Sequence, residues 1–591
     1  MVRREHQGLT ATEAVAGVPS RRARLALPGL AGAGRPLLGI ALGLLLVLPM
    51  AFFLAVAVSP RLFAQGPQWF TLSNFAQALS GQTLQGLVDS LVVGVVAAAV
   101  AVAAGSALAW LVQRTTLPGR RIVPILVWAV LLSPSYLSAL GWERLVEPDG
   151  VLAQMGLHAL ALRHLVMGPI GVTLVLATRG VPFAFLTVSA ALLGLGSEFE
   201  EAARVHGASR WGALRVALPI VAPALWSAAA IVFAESISDF GVASTLAADA
   251  HFPVATYTLF TAIDSTPIEF GIAAAVAWLL VAAGGLAIVA QQRALRGRSY
   301  AVLGGRTRLA GRHRLGPGGM ALGLAFVVGL FLAALGIPVL GAVSASLLKD
   351  FGAAYGLHAW TLSNYRRVFT DDGLLGPILL SARMAAITAT LAVVIGLALA
   401  RLLVRRSAST LTRVLDLALI GAVAVPTVVL AAGYIFAYNL PILARLGVSL
   451  YGTLTLLGMG YLAGVLPTLS RMLIGPVAQV QASMVDAARV HGAGGARTWQ
   501  SVVVPLLARP ILWAWLFAWV GTLLELPISQ LLYPPGEEPL SVAITKHLAN
   551  YDFGGGTAMM VVSVLGALAV VGAALGLFRL LVPAGWRRAG S

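Results

Sequence analysis

Arg179, Glu235, Asp239 and Glu525 stand inside long apolar stretches of the chain. A charge at the centre of a bilayer costs roughly 2.5–3.5 kcal/mol on insertion scales, so each such position is a candidate for function. Glu235 and Asp239 lie four residues apart, on one face of a helix. Asp239 and Glu525 fall at matching places in the two halves of the chain. Carboxylates on a translocation path would favour a cation. The competing reading is structural, with Arg179 paired to Glu235 or Asp239 inside the bundle and the acidic groups near the outer, watery boundary. Other chemistries lack their residues. The chain has no cysteine, which excludes disulfides and thiolate metal sites. The histidines show no metal-ligand spacing, so no metal site is expected. Lys349 and Lys546 are the only lysines, and neither follows a glycine. A phosphate-binding Gly-Lys-Ser/Thr loop is therefore absent. No catalytic constellation is found, and any ATP hydrolysis belongs to another polypeptide.

The elements that position these residues are membrane helices. Of 591 residues, 59% are hydrophobic and 11% charged, with mean hydropathy +0.88. Soluble proteins have about 45–50% apolar and about 25% charged residues. A bilayer core of about 30 Å takes roughly 20 helical residues, and the apolar runs are continuous rather than alternating. Spans are expected at 36–58, 90–112, 122–142, 169–193, 222–243 and 270–290. A second set is expected at 319–343, 381–404, 414–437, 450–473, 508–527 and 557–582. The predicted fold is all-α, with about twelve transmembrane helices in two tandem six-helix repeats. Residues 1–35 read as a disordered basic tail, 36–292 as the first half, 293–318 as a basic linker and 319–591 as the second half.

Basic residues cluster in alternate loops, among them Arg114, Arg120, Arg121, Arg204, Arg401, Arg405 and the run from Arg293 to Arg314. The positive-inside rule makes that side, and both termini, cytoplasmic. The net charge of +17 is thereby accounted for without nucleic acid.

Two short repeats mark the duplication. Ala-Ala-Arg-Val-His-Gly-Ala occurs at 202–208 and 487–493, after the fourth and tenth spans. Thr-Leu-Ser-Asn-Phe at 71–75 returns as Thr-Leu-Ser-Asn-Tyr at 361–365. The first repeat predicts a helix–Gly–helix elbow. Ser197 with Glu200, and Ser483 with Asp486, suit a capping box. Gly207 and Gly492 suit a helix end that needs positive φ. A second short amphipathic piece is expected to run to Pro219 and Pro505, where the next span begins. Two near-identical elbows at symmetric positions predict one kind of partner bound twice.

The elbow resembles the Glu-Ala-Ala motif of permeases in binding-protein-dependent ABC importers. Glu201, Ala202, Ala203 and Gly207 match it, with Pro219 one residue early. In the second copy Asp486 replaces the glutamate, Ala487, Ala488 and Gly492 match, and Pro505 stands at the usual spacing. The resemblance implies the type I importer permease fold, with each elbow seated in an ATPase subunit of a homodimer. It also implies an extracytoplasmic substrate-binding protein, a bacterial inner membrane, and ATP and magnesium held by the ATPase rather than by this chain. Asp239 through Ala243 and Glu525-Leu526-Pro527 resemble fused permeases of the ferric iron group. Iron is the first expectation for cargo, with thiamine, polyamine and phosphonate as alternatives. A major-facilitator-type transporter is the rival of another class, but its repeated signature would follow spans two and eight. A membrane-embedded enzyme is a further rival that lacks its catalytic cluster.

Overall fold

The structure is a computed structural model. It describes residues 34–63, 65–148, 150–157, 159–194, 205, 207, 210–295, 312–349, 360–404, 410–423 and 425–581. Among these residues the chain is helical, with two isolated β-bridges and no strand. In the first half the membrane elements are α1 (Pro36–Val56), α2 (Gly81–Arg114), α3, α4 (Pro169–Gly194), α5 (Arg210–Ser238) and α6 (Phe270–Leu295). In the second they are α7 (Pro317–Ser346), α8 (Asp372–Val404), α9, α10 (Leu454–Gln479), α11 (Gly495–Leu523) and α12 (Phe553–Leu581).

Neither α3 nor α9 is the straight span expected over 122–142 and 414–437. In α3, Val123–Leu132 meets Ser135–Ala153 at 97°, and in α9, Thr410–Val423 meets Thr427–Tyr438 at 116°. Counting each bent pair as one span, the described residues hold twelve spans, and ten without them. Each bend has a proline at its corner. Pro134 and Pro426 are extended, with ψ of 149° and 135°. A proline disfavours helical geometry at the residue before it.

Within each half, small residues let helices approach. A Cβ on Gly105 of α2 would lie 2.6 Å from that of Ala184 on α4. A Cβ on Gly396 of α8 would lie 2.5 Å from Leu469 of α10. Without a hydrophobic force between helices in lipid, such close packing is what holds a bundle together.

The halves interlock through their first spans. Helix α1 lies on the second arm of α9, and α7 lies on the second arm of α3. Both contacts are backbone-close: a Cβ on Gly433 would meet the Pro49 carbonyl at 2.5 Å, and one on Gly141 would meet Pro338 Cα at 2.3 Å. Each first span carries a π-helical turn at the crossing, Gly43–Val47 and Leu332–Gly336. A π turn interrupts the regular backbone ladder, and an aromatic donor from the other half reaches it. Tyr434 donates to Leu45 O at 2.8 Å, Tyr438 to Leu44 O at 2.8 Å, and Trp142 Nε1 to Ala333 O at 3.0 Å.

The Thr-Leu-Ser-Asn repeat is an interlocking device on the face opposite the elbows. Asn74 donates to Ala57 O at 2.9 Å, at the end of α1. Asn364 donates to Ser346 O and Leu348 O, at the end of α7. Gly271 and Gly554, at the starts of α6 and α12, leave room for these two side chains. On the second copy's side, Arg367 grips Asp552 through both nitrogens, at 3.2 and 3.1 Å. The carboxylate also meets His547 Nδ1 at 3.0 Å and the Gly555 amide at 3.0 Å. Burial works to raise the Asp552 carboxyl, but the Arg367, Gly555 and His547 contacts outweigh it and hold the group below its usual range.

Two outcomes follow. Tyr434→Phe removes a donor shared with Leu45 O and Met459 O and is expected to cost about 1 kcal/mol, read as a lowered unfolding midpoint in detergent. Because the folded Asp552 carboxyl sits below its unfolded value, its stabilisation is full above about pH 4 and lost as pH falls through the folded value. Asp552→Asn therefore lowers stability at neutral pH, and the difference from wild type shrinks below about pH 4 in unfolding titrations.

Candidate functional site

The second elbow is a helix, Ala482–Val490, that ends in a tight glycine turn. Gly492 has φ +79°. Its amide donates to Arg489 O at 2.9 Å, and the Ala493 amide donates to Ala488 O at 3.0 Å. These two bonds make a Schellman motif, which needs a left-handed residue that only glycine adopts cheaply. Gly207 has the same φ, +79°. Glu201, Ala202 and Ala203, with the Ser197–Glu200 capping pair, lie outside the described residues.

The expected capping box at Ser483 and Asp486 does not form. The helix begins at Ala482, with Gln481 extended before it and making no side-chain cap. Ser483 is thus already inside the first turn. Its hydroxyl turns to Gln481 Oε1 at 3.5 Å, and Asp486 pairs with Arg489 at 3.7 Å. The expected helix boundary at the prolines is absent as well. Helix α5 runs unbroken through Pro219, and α11 through Pro505. One residue more separates Gly492 from Pro505 than Gly207 from Pro219. A π turn at Trp499–Val503, ending two residues before Pro505, takes up that residue.

Sequence reasoning missed Val205 and Val490. They are 84% and 85% exposed, at the same place in the two copies of the heptapeptide. Their repetition was the available signal, since a lone valine in an amphipathic segment reads as core. Beside Val490, Met484 and Ala487 are exposed, whereas Val485 turns inward against Val503 and Leu507. Met484, Ala487, His491, Val502 and Pro505 border a hollow of about 520 Å³. The hollow is lined mainly by apolar side chains, with His491 and Ser501 among them, and exposed apolar surface of this kind is characteristic of interaction sites.

The second feature is a cavity of about 390 Å³ where the breaks of α3 and α9 meet those that end α5 and α11. Arg179, Glu235 and Asp239 line it from the first half, and Thr427, Gly464 and Thr468 from the second. The four charged residues divide their tasks. Arg179 Nη1 donates to Ser133 O, the carbonyl left open at the bend of α3. Asp239 Oδ1 accepts from the Val242 amide at 2.7 Å, capping the turn after α5. Glu525 accepts from the Ile528 and Ser529 amides at 2.9 and 3.0 Å and from the Ser529 hydroxyl at 3.2 Å. It caps Pro527–Leu532. Its neighbours Leu526 and Pro527 line the cavity, and its own side chain does not. The carbonyls of Asp239 and Glu525 accept in turn from Thr256 Oγ1, at 2.9 Å, and from Ser541 Oγ. The alternative ion pair of Arg179 with Glu235 or Asp239 is not formed within 4 Å among the described residues. Glu235 is exposed to the cavity, and among the described residues it has neither hydrogen bond nor ion pair.

Twelve membrane elements in two like sets, with an elbow on one face and a cavity between the sets, define a two-half helical permease. Residues 90–299 match the family described as the inner membrane component of binding-protein-dependent transport systems. A probable ABC transporter permease of Sinorhizobium fredii is 26% identical over 446 residues, 74% of this chain and 77% of that relative. A probable molybdenum ABC transporter permease of Haloferax volcanii is 30% identical over 208 residues, 35% of this chain and 73% of that relative. A ferric transport system permease of Actinobacillus pleuropneumoniae is 23% identical over 378 residues, 63% of this chain and 53% of that relative. The chain belongs to the binding-protein-dependent transport system inner membrane component family. It is the permease subunit of an ABC importer and a multi-pass membrane protein, and the family implies an ABC ATPase and a substrate-binding protein as partners.

Val490→Asp places a charge where the elbow is most exposed and apolar. Were the elbow the ATPase contact proposed below, retention of the ATPase on purification would fall at least about tenfold, since burying an unpaired charge costs several kcal/mol. Val205→Asp added to it should abolish retention.

Proposed function

We propose that this one chain forms the whole membrane part of the importer. Residues 36–292 and 319–591 act as its two halves, joined by the linker 293–318. Both elbows bind an ATPase homodimer, one subunit each, through Glu201, Ala202, Ala203, Gly207 and Pro219 on one side and Asp486, Ala487, Ala488, Gly492 and Pro505 on the other. The observation that carries this reading is the same φ of +79° at both Gly207 and Gly492, each beside a fully presented valine. Two equal sites on one face suit a symmetric motor. Both termini then lie with the elbows in the cytoplasm, together with the basic tail 1–35. The chain itself does no hydrolysis and binds no cofactor, and ATP and magnesium stay with the ATPase.

For cargo we propose ferric iron, delivered by an extracytoplasmic binding protein. The similarity to a ferric permease and two carboxylates on the cavity wall support it. An oxyanion is the second reading, favoured by Arg179 on the same wall and by the similarity to a molybdenum permease.

The test is uptake of radiolabelled ferric iron by cells with and without the gene under iron starvation. Wild type should restore high-affinity uptake. The Gly207→Pro, Gly492→Pro double variant should not, because proline fixes φ near −65° and cannot make either turn. Unchanged iron uptake in the deletion strain would reject iron, and labelled molybdate would be measured next.

A further inference from the structure

The geometry points to a one-sided station for cargo: the charged contact to the passing solute comes from the first half alone, through the Glu235 carboxylate, and the site selects a solute bearing positive charge. This rests on the importer reading and names the substrate class for its cavity.

The charges of the cavity are asymmetric although the scaffold is repeated. Pro182 and Pro467 take the same place in α4 and α10. Three residues before them stand Arg179 and Gly464. Asp239 and Glu525 make the same cap at the ends of α5 and α11, and four residues before them stand Glu235 and Gly521. Arg179 and Glu235 are thus answered by glycine, whereas Asp239 is answered by Glu525. At Gly521 an added Cβ would meet nothing within 4 Å, so crowding does not account for the missing side chain. The facing wall offers the hydroxyls of Thr427 and Thr468, which bind solutes of either sign.

Within the charged wall only one charged group is without a direct contact. Arg179 is held by the Ser133 carbonyl and Asp239 by the Val242 amide. Glu235 caps no helix end and, among the described residues, makes no hydrogen bond and no ion pair within 4 Å, although the Arg179 and Asp239 charges act on it through space. A carboxylate kept at membrane depth without a direct contact is costly, and a passing cation supplies one. A second polar group is also unanswered. Tyr136 is 2% exposed, lines the same cavity, and its hydroxyl has no hydrogen-bond partner. It adds a neutral donor or acceptor for the coordinated or polar part of the solute. By formal charge, one cation and two carboxylates make the wall net negative, which disfavours a free oxyanion.

The chain has no cysteine, which makes the field measurable without knowing the cargo. Thr427→Cys places one thiol on the facing wall. Its reaction rates with trimethylammonioethyl and sulfonatoethyl methanethiosulfonate, on purified protein, report local cation and anion access. The cationic reagent is expected to react faster, and Glu235→Gln to lower the cation-to-anion ratio by about tenfold or more. Monodispersity and ATPase retention by Glu235→Gln control for folding. A faster anionic reagent, or a ratio untouched by Glu235→Gln, overturns the station. So does failure of both reagents at Thr427→Cys and at Thr468→Cys, because the cavity then admits no solute. Loss of the ratio leaves the elbows and the importer standing. Failure of iron uptake with the ratio intact leaves a cation-selective path for another cargo.

Discussion

Every backbone polar group at membrane depth must be answered inside the protein, because lipid offers no hydrogen bond. This chain interrupts four spans around one central space, and the interruptions decide where its charges stand. The open carbonyl at the bend of α3 takes Arg179. The turns after α5 and α11 take the carboxylates of Asp239 and Glu525. The carbonyls of those same two residues take Thr256 and Ser541. For Arg179, Asp239 and Glu525 charge inside this bundle is first of all helix capping, and the cavity is the space the broken spans leave between them.

The same constraint interlocks the halves. A π turn on each first span loosens the ladder where it crosses the other half, and Tyr434, Tyr438 or Trp142 reaches across. Separating the halves would leave carbonyls in lipid and undo the glycine contacts at Pro49 and Pro338. Neither six-span set is complete alone, which gives a physical reason for keeping both on one polypeptide.

Symmetry is kept where two equal surfaces are useful and relaxed where they are not. The elbows share the glycine turn and the exposed valine, and the one-residue difference between them is absorbed by the π turn at Trp499–Val503. On the cavity wall, glycine replaces arginine and glutamate. A partner that docks twice needs matching sites, whereas one solute on the central axis can be held from one side.

Composition and continuous apolar runs determined a helical membrane protein, because solvent preference is summed over many residues and needs no knowledge of neighbours. The heptapeptide repeat located the elbows, and the need for φ above zero at Gly207 and Gly492 was legible because it is a property of single residues. The bends of α3 and α9 were not legible. Pro182, Pro219, Pro467 and Pro510 pass through helices unbroken, so a proline in an apolar run does not by itself announce a break. The capping box at Ser483 failed for a like reason, since where a helix starts depends on the packing of the span before it. The roles of Arg179, Asp239 and Glu525 as caps, and the isolation of Glu235, were decided only by tertiary structure. Each depends on which distant backbone group arrives beside the side chain, and sequence spacing carries no record of that.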